Sequence, residues 1–128
     1  MNNKILNKLI EKSYEMTDLP VSEKLHFSFI FHKRKMLCVG WNNGWFTHPL
    51  AKKFGHRYSV THSELAAIKA LPYSKKFLKK CTLINIRIGK NGKVAMAKPC
   101  KHCQEMLNYF NIKRIIYTDN NGNFIELN

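Results

Sequence analysis

The segment Cys81–Ile88 reads CTLINIRI and is almost continuously apolar, with several β-branched residues. A strand that faces solvent on one side alternates apolar and polar residues, whereas a strand buried on both faces is a nearly continuous apolar run. The segment therefore predicts a strand that is covered on both sides. Helices that alternate with strands along the chain supply such cover, so the pattern favours an α/β structure.

The other predicted elements fit around this strand. Residues 3–17 carry apolar side chains at helical spacing, and residues 25–31 alternate as a half-buried strand does. We predict helices at 3–17, 61–71 and 99–110, and strands at 25–31, 36–41, 81–88, 94–97, 114–118 and 123–127. The expected fold is a three-layer α/β/α arrangement, with a mixed sheet of about five strands between the helices. Residues 119–122, DNNG, are too few for a parallel crossover, so the last strand is expected to be antiparallel.

The size and composition are those of one globular unit. The chain has 128 residues, so we expect a single domain over 1–128. Apolar residues make up 45% and charged residues 23%, which argues against intrinsic disorder. The apolar runs are shorter than the roughly 18 residues of a membrane span, and Lys and Glu interrupt the N-terminal apolar residues, unlike in a signal peptide. We therefore expect a cytoplasmic protein without disulfides and without a membrane partner.

The chain is strongly basic, with a formal net charge of +14. This charge has two interpretations: a coding bias toward Lys, Asn and Ile, or an anionic partner such as a nucleic acid or a phosphorylated substrate. Between Lys24 and Gln104 the single carboxylate is Glu64, in a stretch otherwise rich in lysine and arginine. A lone acid in such a stretch predicts a specific role for Glu64.

Two short motifs each open a predicted helix: THSE at 61–64 and PCKHC at 99–103. Two thiolates and one imidazole suit Zn²⁺, and a C-x-x-C turn at a helix start lets both sulfurs point at one ion. With His62, Cys100 and Cys103 as ligands, a fourth position stays open for water, as in catalytic zinc sites. Glu64 lies two residues from His62 and could exchange protons with that water.

Each motif also has a structural interpretation. Thr61-x-x-Glu64 matches a capping box, in which the acid only stabilises a helix start. A single C-x-x-C could be a redox pair or part of a structural zinc site, and His48, His56 or His102 could supply a fourth ligand. The two motifs together, each opening a helix on one short chain, favour the signature of zinc deaminases that act on bases.

On these residues the chain resembles the cytidine/deoxycytidylate deaminase superfamily, and the resemblance covers most of the chain. Residues 62–64 resemble the family's H-A-E element with Ser63 at the middle position, and residues 99–103 match P-C-x-x-C. Residues 103–107 resemble C-R-Q-x-L, with Gln104 in place of the Arg. The resemblance implies a Zn²⁺ cofactor that activates water for attack on the ring carbon, with Glu64 as the proton shuttle and ammonia as the leaving group.

Further substrate contacts are expected in and beside the loop 42–60. Residues 40–42 resemble a Gly-aromatic-Asn element, which implies that Asn42 contacts the substrate. Lys52, Lys53 and Arg57 could bind a substrate phosphate or form a solvated charged loop. Phe46 could stack on a base or pack the loop down.

The resemblance leaves the substrate class open. Within the superfamily, an antiparallel last strand accompanies free-cytidine and blasticidin-type deaminases, whereas His62 as the first ligand resembles the deoxycytidylate and polynucleotide enzymes. Hydrolytic deamination of a free cytosine-type nucleoside or nucleotide is the favoured function. Deamination of bases within RNA or single-stranded DNA is an alternative, and a non-catalytic zinc-stabilised nucleic-acid-binding module is a second. Small family members are often homo-oligomers, so a dimer or tetramer is expected.

Overall fold

The fold is taken from a computed structural model that describes residues 3–18, 25–42, 62–71, 75–89 and 91–127. Its helices are α1 (Asn3–Glu15), α2 (Ser63–Lys69), α3 (Lys75–Leu78) and α4 (Lys101–Tyr109), and a 3₁₀ turn (Met16–Asp18) follows α1. Its strands are β1 (Leu25–His32), β2 (Lys35–Trp41), β3 (Cys81–Ile88), β4 (Val94–Ala95), β5 (Arg114–Thr118) and β6 (Phe124–Glu126).

Within the described residues the strands form one open mixed sheet of six strands, in the order β2-β1-β3-β5-β6, with β4 paired to the end of β3. The pair β3–β5 is parallel, and the pairs β1–β2, β1–β3 and β3–β4 are antiparallel. The last strand, β6, is antiparallel to β5, as the short DNNG turn predicts. The sheet was expected to have about five strands, and the sixth is the two-residue strand β4, which lies within the strand predicted at 94–97.

Two apolar cores lie on opposite faces of the sheet and make three layers. On one face, Leu6 and Leu9 of α1 pack with Phe27 and Phe29 of β1 and with Ile84 of β3. On the other face, a second cluster joins α2 and α4 to the sheet. Its fully buried members include Ile30, Leu65, Leu83, Met106 and Leu107. The predicted cover on both sides of β3 is confirmed, since seven of its eight positions are buried. The half-buried strand predicted at 25–31 is wrong in its burial: Phe27–Phe31 are all buried, because α2 covers the face that carries Ser28 and Ile30.

The remaining element boundaries differ from the predicted ones mainly at their ends. The second helix begins at Ser63 and ends at Lys69, and the helix after Pro99 begins at Lys101. The sequence did not predict α3, whose four residues are too short for a periodic signal. Tyr14, which continues the apolar spacing of the predicted helix 3–17, is 41% exposed, and Ser13 takes the inward place. Its hydroxyl is satisfied there by donating to the Leu9 carbonyl at 2.8 Å.

No helix in the described ranges has the length and apolar character needed to cross a membrane.

Gly40 of β2 sets how closely α2 approaches the sheet. A Cβ at this position would collide with the backbone N of Ala67 and would lie 2.7 Å from both the carbonyl carbon of Ala66 and the carbonyl oxygen of Ser63. These are backbone atoms of a packed helix, so they cannot move aside as the end of a flexible side chain can. Gly40 therefore allows the first turn of α2, with Ser63 and Glu64, to lie directly on the sheet.

Replacing Gly40 with Ala should lower the free energy of unfolding by about 1–3 kcal/mol, because the added methyl group overpacks the contact between β2 and α2. Gly89→Ala is the matched control: its nearest neighbour is a side-chain oxygen of Asn91 at 3.2 Å, which can move. Urea unfolding of both variants measures the difference. Equal stability losses in the two variants would contradict the close approach of α2.

Candidate functional site

His62, Cys100 and Cys103 come together although 38 residues separate the first two. The ligand atoms of the three residues all lie within 4.8 Å of one another. The Cys103 Sγ is 3.2 Å from His62 Nδ1, and the Cys100 Sγ is 3.9 Å from the same nitrogen. The three residues predicted from the two motifs therefore form one cluster.

The starts of two helices hold this cluster in place. His62 is the N-cap of α2, and Cys100 is the N-cap of α4. The Cys100 sulfur accepts a hydrogen bond from the backbone N–H of Cys103 at 3.4 Å. An unpaired N–H and the positive end of the helix dipole favour negative charge on a sulfur at this position. The exposed Cys100 and the buried Cys103 thus face one point from a single helical turn.

The cluster has strongly shifted acid–base properties. A hydrogen bond from Cys103, joined by those from His62 and the Cys103 backbone, lowers the pKa of Cys100 to about 3 against the opposing effect of burial. The hydrogen bond to Cys100 raises the pKa of Cys103, with burial and the charge of Glu64 acting in the same direction. The hydrogen bond to Cys100 also raises the pKa of His62. A metal cation can bind where a thiolate and two further donor atoms meet, and its binding releases the protons that these ligands carry.

The spacing of the donor atoms fits a metal ion. With metal–sulfur bonds of about 2.3 Å and metal–nitrogen bonds of about 2.0–2.1 Å, ligands on a tetrahedron lie roughly 3.5–3.8 Å apart. The two measured nitrogen–sulfur distances, 3.2 and 3.9 Å, bracket this value. His62, Cys100 and Cys103 could therefore hold a metal ion, and within the described ranges the group has these three members.

Glu64 is buried beside this cluster, with 4% of its surface exposed. The Asn85 side chain donates a hydrogen bond from Nδ2 to Glu64 Oε2 at 3.0 Å. The Ser63 hydroxyl donates to the other carboxylate oxygen, Oε1, at 3.2 Å. Glu64 is close enough to Cys103 to raise the pKa of that thiol through its charge. The carboxylate thus lies next to the candidate metal ligands and is held from the side of the sheet.

The capping-box interpretation does not describe this arrangement. His62, not Thr61, is the N-cap of α2, and no side chain caps the helix there. The carboxylate of Glu64 bonds to the side chains of Asn85, on β3, and of Ser63, the first residue of α2. Thr61 itself lies outside the described residues. Glu64 is therefore tied to the sheet beneath the site.

Of the five residues expected to contact a substrate, the structure describes one, Asn42. Asn42 follows β2, and its Oδ1 accepts a hydrogen bond from the backbone N–H of His26 at 3.1 Å. This contact extends the pairing of β1 with β2 by one step. Phe46, Lys52, Lys53 and Arg57 lie outside the described residues, as do His48 and His56. His102 is exposed on α4 and is not a member of the ligand cluster.

Sequence reasoning missed two polar residues beneath the site, Ser28 and Asn85. They face each other across the β1–β3 pairing and are 0% and 1% exposed. Their signal in the sequence is faint: each is a polar residue within a strand of otherwise apolar inward positions. The other two thiols, Cys38 and Cys81, lie in strands and donate hydrogen bonds to the carbonyls of Ala67 and Phe77. Burial raises the pKa of Cys38 to about 11.

The comparisons with known proteins agree with this fold. The crystal structure of the apo dCMP deaminase from the cyanophage S-TIM5 superimposes with a TM-score of 0.60 at 15% sequence identity, over 93% of this chain and 86% of that one. The likeness shows a shared fold, an open six-stranded mixed sheet flanked by helices. No family model and no curated protein sequence matches the chain.

The purified protein should contain about one divalent metal ion per chain, since three soft or borderline ligands converge on one point. Cys103→Ser should lose this metal and become less stable, because the ion would join the starts of α2 and α4. Elemental analysis and thermal unfolding measure both effects.

Cys38→Ser is the matched control. This thiol is half-buried and bonds to the Ala67 carbonyl, outside the ligand cluster, so metal content should stay at the wild-type level. A Cys103→Ser protein that still carries stoichiometric metal would contradict the ligand assignment.

Proposed function

We propose that this protein is a zinc-dependent hydrolytic deaminase. It converts a cytosine-type nucleoside or nucleotide, such as cytidine, deoxycytidine or dCMP, to the uracil form and releases ammonia. The observation that carries the proposal is the buried carboxylate of Glu64 beside the cluster of His62, Cys100 and Cys103. A structural neighbour that is a dCMP deaminase supports the same reaction class.

His62, Cys100 and Cys103 would hold the zinc ion. Two thiolates and one imidazole are a preferred zinc ligand set, and three protein ligands are typical of catalytic sites. When bound, zinc supplies a Lewis acid that makes water a better nucleophile at neutral pH.

Glu64 would carry the protons of the reaction. A carbon–oxygen bond forms at the ring carbon as the adjacent ring nitrogen gains one proton of the water. The carbon–nitrogen bond to the exocyclic amine then breaks, the amine leaves as ammonia with the second proton, and the oxygen stays as the new carbonyl. The carboxylate accepts each proton in turn from the oxygen and donates one to the ring nitrogen and the other to the leaving amine, so it ends the cycle unchanged. Asn85 and Ser63 hold this carboxylate from the side of the sheet, and its remaining surface is available to the reacting groups.

The substrate contacts remain the ones expected from the sequence. Asn42 and Phe46 would contact the sugar and the base, and Lys52, Lys53 and Arg57 would bind a phosphate. The antiparallel β6 supports a free nucleoside or nucleotide under the family resemblance. The net charge of +14 supports the alternative, a deaminase of bases within RNA or single-stranded DNA.

Glu64→Gln keeps the size of the side chain but removes its ability to accept a proton. The variant should retain its metal and lose a factor of about 10²–10⁴ in kcat, the usual contribution of a general acid–base group. Glu11→Gln, on the exposed side of α1, is the matched control and should keep wild-type turnover. Near-normal turnover by Glu64→Gln would rule out the proton-shuttle role.

The reaction itself is tested by measuring ammonia release from cytidine, deoxycytidine, dCMP, single-stranded DNA and RNA. The proposal expects turnover of at least one free nucleoside or nucleotide by the metal-loaded protein. Turnover of the polymers alone would establish the alternative substrate class. If none of the five substrates releases ammonia, the deaminase proposal is contradicted, and the interpretation as a non-catalytic nucleic-acid-binding module is favoured.

We also propose that the chain forms a dimer or tetramer. Both outer strands of the sheet carry exposed apolar side chains: Met36 and Trp41 of β2 are 37% and 36% exposed, and Ile125 of β6 is 38% exposed. An exposed strand edge with apolar side chains tends to pair with another chain. Light scattering should give a mass of two or four chains, and a monomer at all concentrations would contradict assembly.

A further inference from the structure

Three buried polar side chains surround the carboxylate of Glu64 on the side of the sheet. Ser28 of β1, Ser63 of α2 and Asn85 of β3 are each at most 1% exposed. The alternation of the strands explains how two of them arrive there: Ser28 and Asn85 are register partners that point to the face covered by α2. Burying a polar atom without a hydrogen-bond partner lowers the stability of the fold, so each polar atom of these three side chains needs a partner.

Asn85 is the centre of the group, and its partners fix its orientation. The Nδ2 amide donates to Glu64 Oε2 at 3.0 Å and to the carbonyl of Ala97 at 3.3 Å. Because both partners are acceptors, the amide nitrogen must face them, and the oxygen must face the other way. The Oδ1 atom accepts from the Ser28 hydroxyl at 2.6 Å.

Ser63 closes the group into a ring. Its hydroxyl oxygen is 2.7 Å from the hydroxyl oxygen of Ser28 and 3.2 Å from Glu64 Oε1. Because the Ser28 hydrogen goes to Asn85 Oδ1, the single Ser63 hydrogen is shared between these two acceptors. Both oxygens of the carboxylate are therefore contacted from beneath, one by Asn85 and one by Ser63. Two contacts on different oxygens fix the plane of a carboxylate, which a single contact does not. Ser63 replaces the Ala of the H-A-E element, so this hydroxyl is a feature of this chain.

We infer that Asn85, supported by Ser28 and Ser63, is a positioning residue that fixes the Glu64 carboxylate for proton transfer; the inference rests on the proposed function. The bond to Ala97 gives Asn85 a second task. Ala97 lies three residues before Cys100. The amide of Asn85 therefore connects the first turn of α2, which carries Glu64, to the segment that precedes the cysteine ligands. Small displacements of a reacting group lower the reaction rate strongly, so a hydrogen bond that fixes both segments favours catalysis.

The kinetic test compares Asn85→Ala and the milder Ser63→Ala with wild type at full metal loading. Asn85→Ala should lower kcat by about 10–100-fold and change KM by less than about threefold, because Asn85 is only 1% exposed and lies beneath the carboxylate. Ser63→Ala should lower kcat by a smaller factor. Ser13→Ala is the matched control: it removes a buried hydroxyl that bonds to the Leu9 carbonyl on the opposite face, and it should lower stability but not kcat.

A second measurement does not depend on turnover. In a double-mutant cycle of unfolding, Asn85→Ala and Glu64→Ala should be non-additive by at least about threefold in the unfolding equilibrium constant, since the two residues share a buried bond. Additive effects, or wild-type kcat in Asn85→Ala, would overturn the positioning role. Absence of turnover in wild type itself would instead be a failure of the proposed function, and the positioning role would fall with it.

An independent observation concerns a basic groove at the other end of β3. A cavity of about 590 Å³ lies where the β1–β2 turn meets the starts of β3 and β5. We call it the basic groove; six of its lining residues are the cations Lys33, Arg34, Lys79, Lys80, Lys113 and Arg114. Cys81, also in the lining, is four residues from Asn85 along β3, so these two residues are about 13 Å apart along the strand.

The arrangement differs from an ordinary solvated charged face. The six cations come from three separate segments of the chain and converge on a concave surface, and the residues that line it include no carboxylate. Concave surfaces lined by one sign of charge concentrate the field and attract counter-charged ligands. One cation is partly neutralised, because Glu126 accepts from Arg114 at 2.8 Å in an exposed pair.

We propose that the basic groove binds the phosphate backbone of a nucleic acid strand. Lysine and arginine are the residues that contact phosphates, and the net charge of +14 favours a polyanion. The lining contains no aromatic side chain on which a base could stack. The binding is therefore to the backbone and independent of base sequence.

The test is fluorescence anisotropy with a labelled single-stranded oligonucleotide of 20 thymidines at several salt concentrations. The double variant Lys80→Glu, Lys113→Glu should bind at least tenfold more weakly than wild type. Its salt dependence should also be shallower, by about 0.7 in log–log slope for each lost phosphate contact. Lys12→Glu, Lys93→Glu has the same net charge but changes residues outside the groove, and it should bind within about threefold of wild type.

Two results would overturn the proposal. Equal losses in the two double variants would show that net charge alone causes binding. Binding of inorganic triphosphate that depends on Lys80 and Lys113, without binding of the oligonucleotide, would show a site for small polyanions in place of a nucleic acid strand.

Discussion

The hydrogen bond between the Asn85 amide and the Glu64 carboxylate joins the sheet to the candidate site. A carboxylate with 4% of its surface exposed is costly to bury unless donors satisfy its oxygens. Several features of the fold place the two partners of this hydrogen bond next to each other. Gly40 lets α2 lie directly on the sheet, the pairing of β1 with β3 places Ser28 opposite Asn85, and the same amide reaches the Ala97 carbonyl. The network thus makes the position of Glu64 a consequence of the sheet register.

The metal ligands depend on a different part of the fold. His62 and Cys100 are the N-caps of two helices that pack on the same face, so their positions follow from helix packing and from the local turn of C-x-x-C. Glu64 is one helical position beyond Ser63 on the same first turn as His62. The helix start therefore brings the proton carrier and one ligand to the same place, and α4 brings the other two ligands from 38 residues away.

Local sequence patterns predicted most of the fold and the centre of the site. The continuous apolar run of β3 and the alternation of β1 are short-range signals, and both motifs carry their ligands within a few residues. Ser28 and Asn85 could not be predicted, because their meeting depends on the register of two strands that are 57 residues apart at this pair. The basic groove was missed for the same reason: Lys33, Lys80 and Lys113 are distant in the chain, and only the sheet order brings them to one cavity.

The central claim is that the site adds water to a cytosine ring and releases the amine. Turnover of dCMP or deoxycytidine by the metal-loaded protein in ¹⁸O-labelled water tests this directly, with mass spectrometry of the product and measurement of ammonia. The account predicts one ¹⁸O atom at the new carbonyl of each uracil-form product and one ammonia per turnover. Product without ¹⁸O, or substrate consumed without ammonia, would contradict hydrolytic deamination at this site.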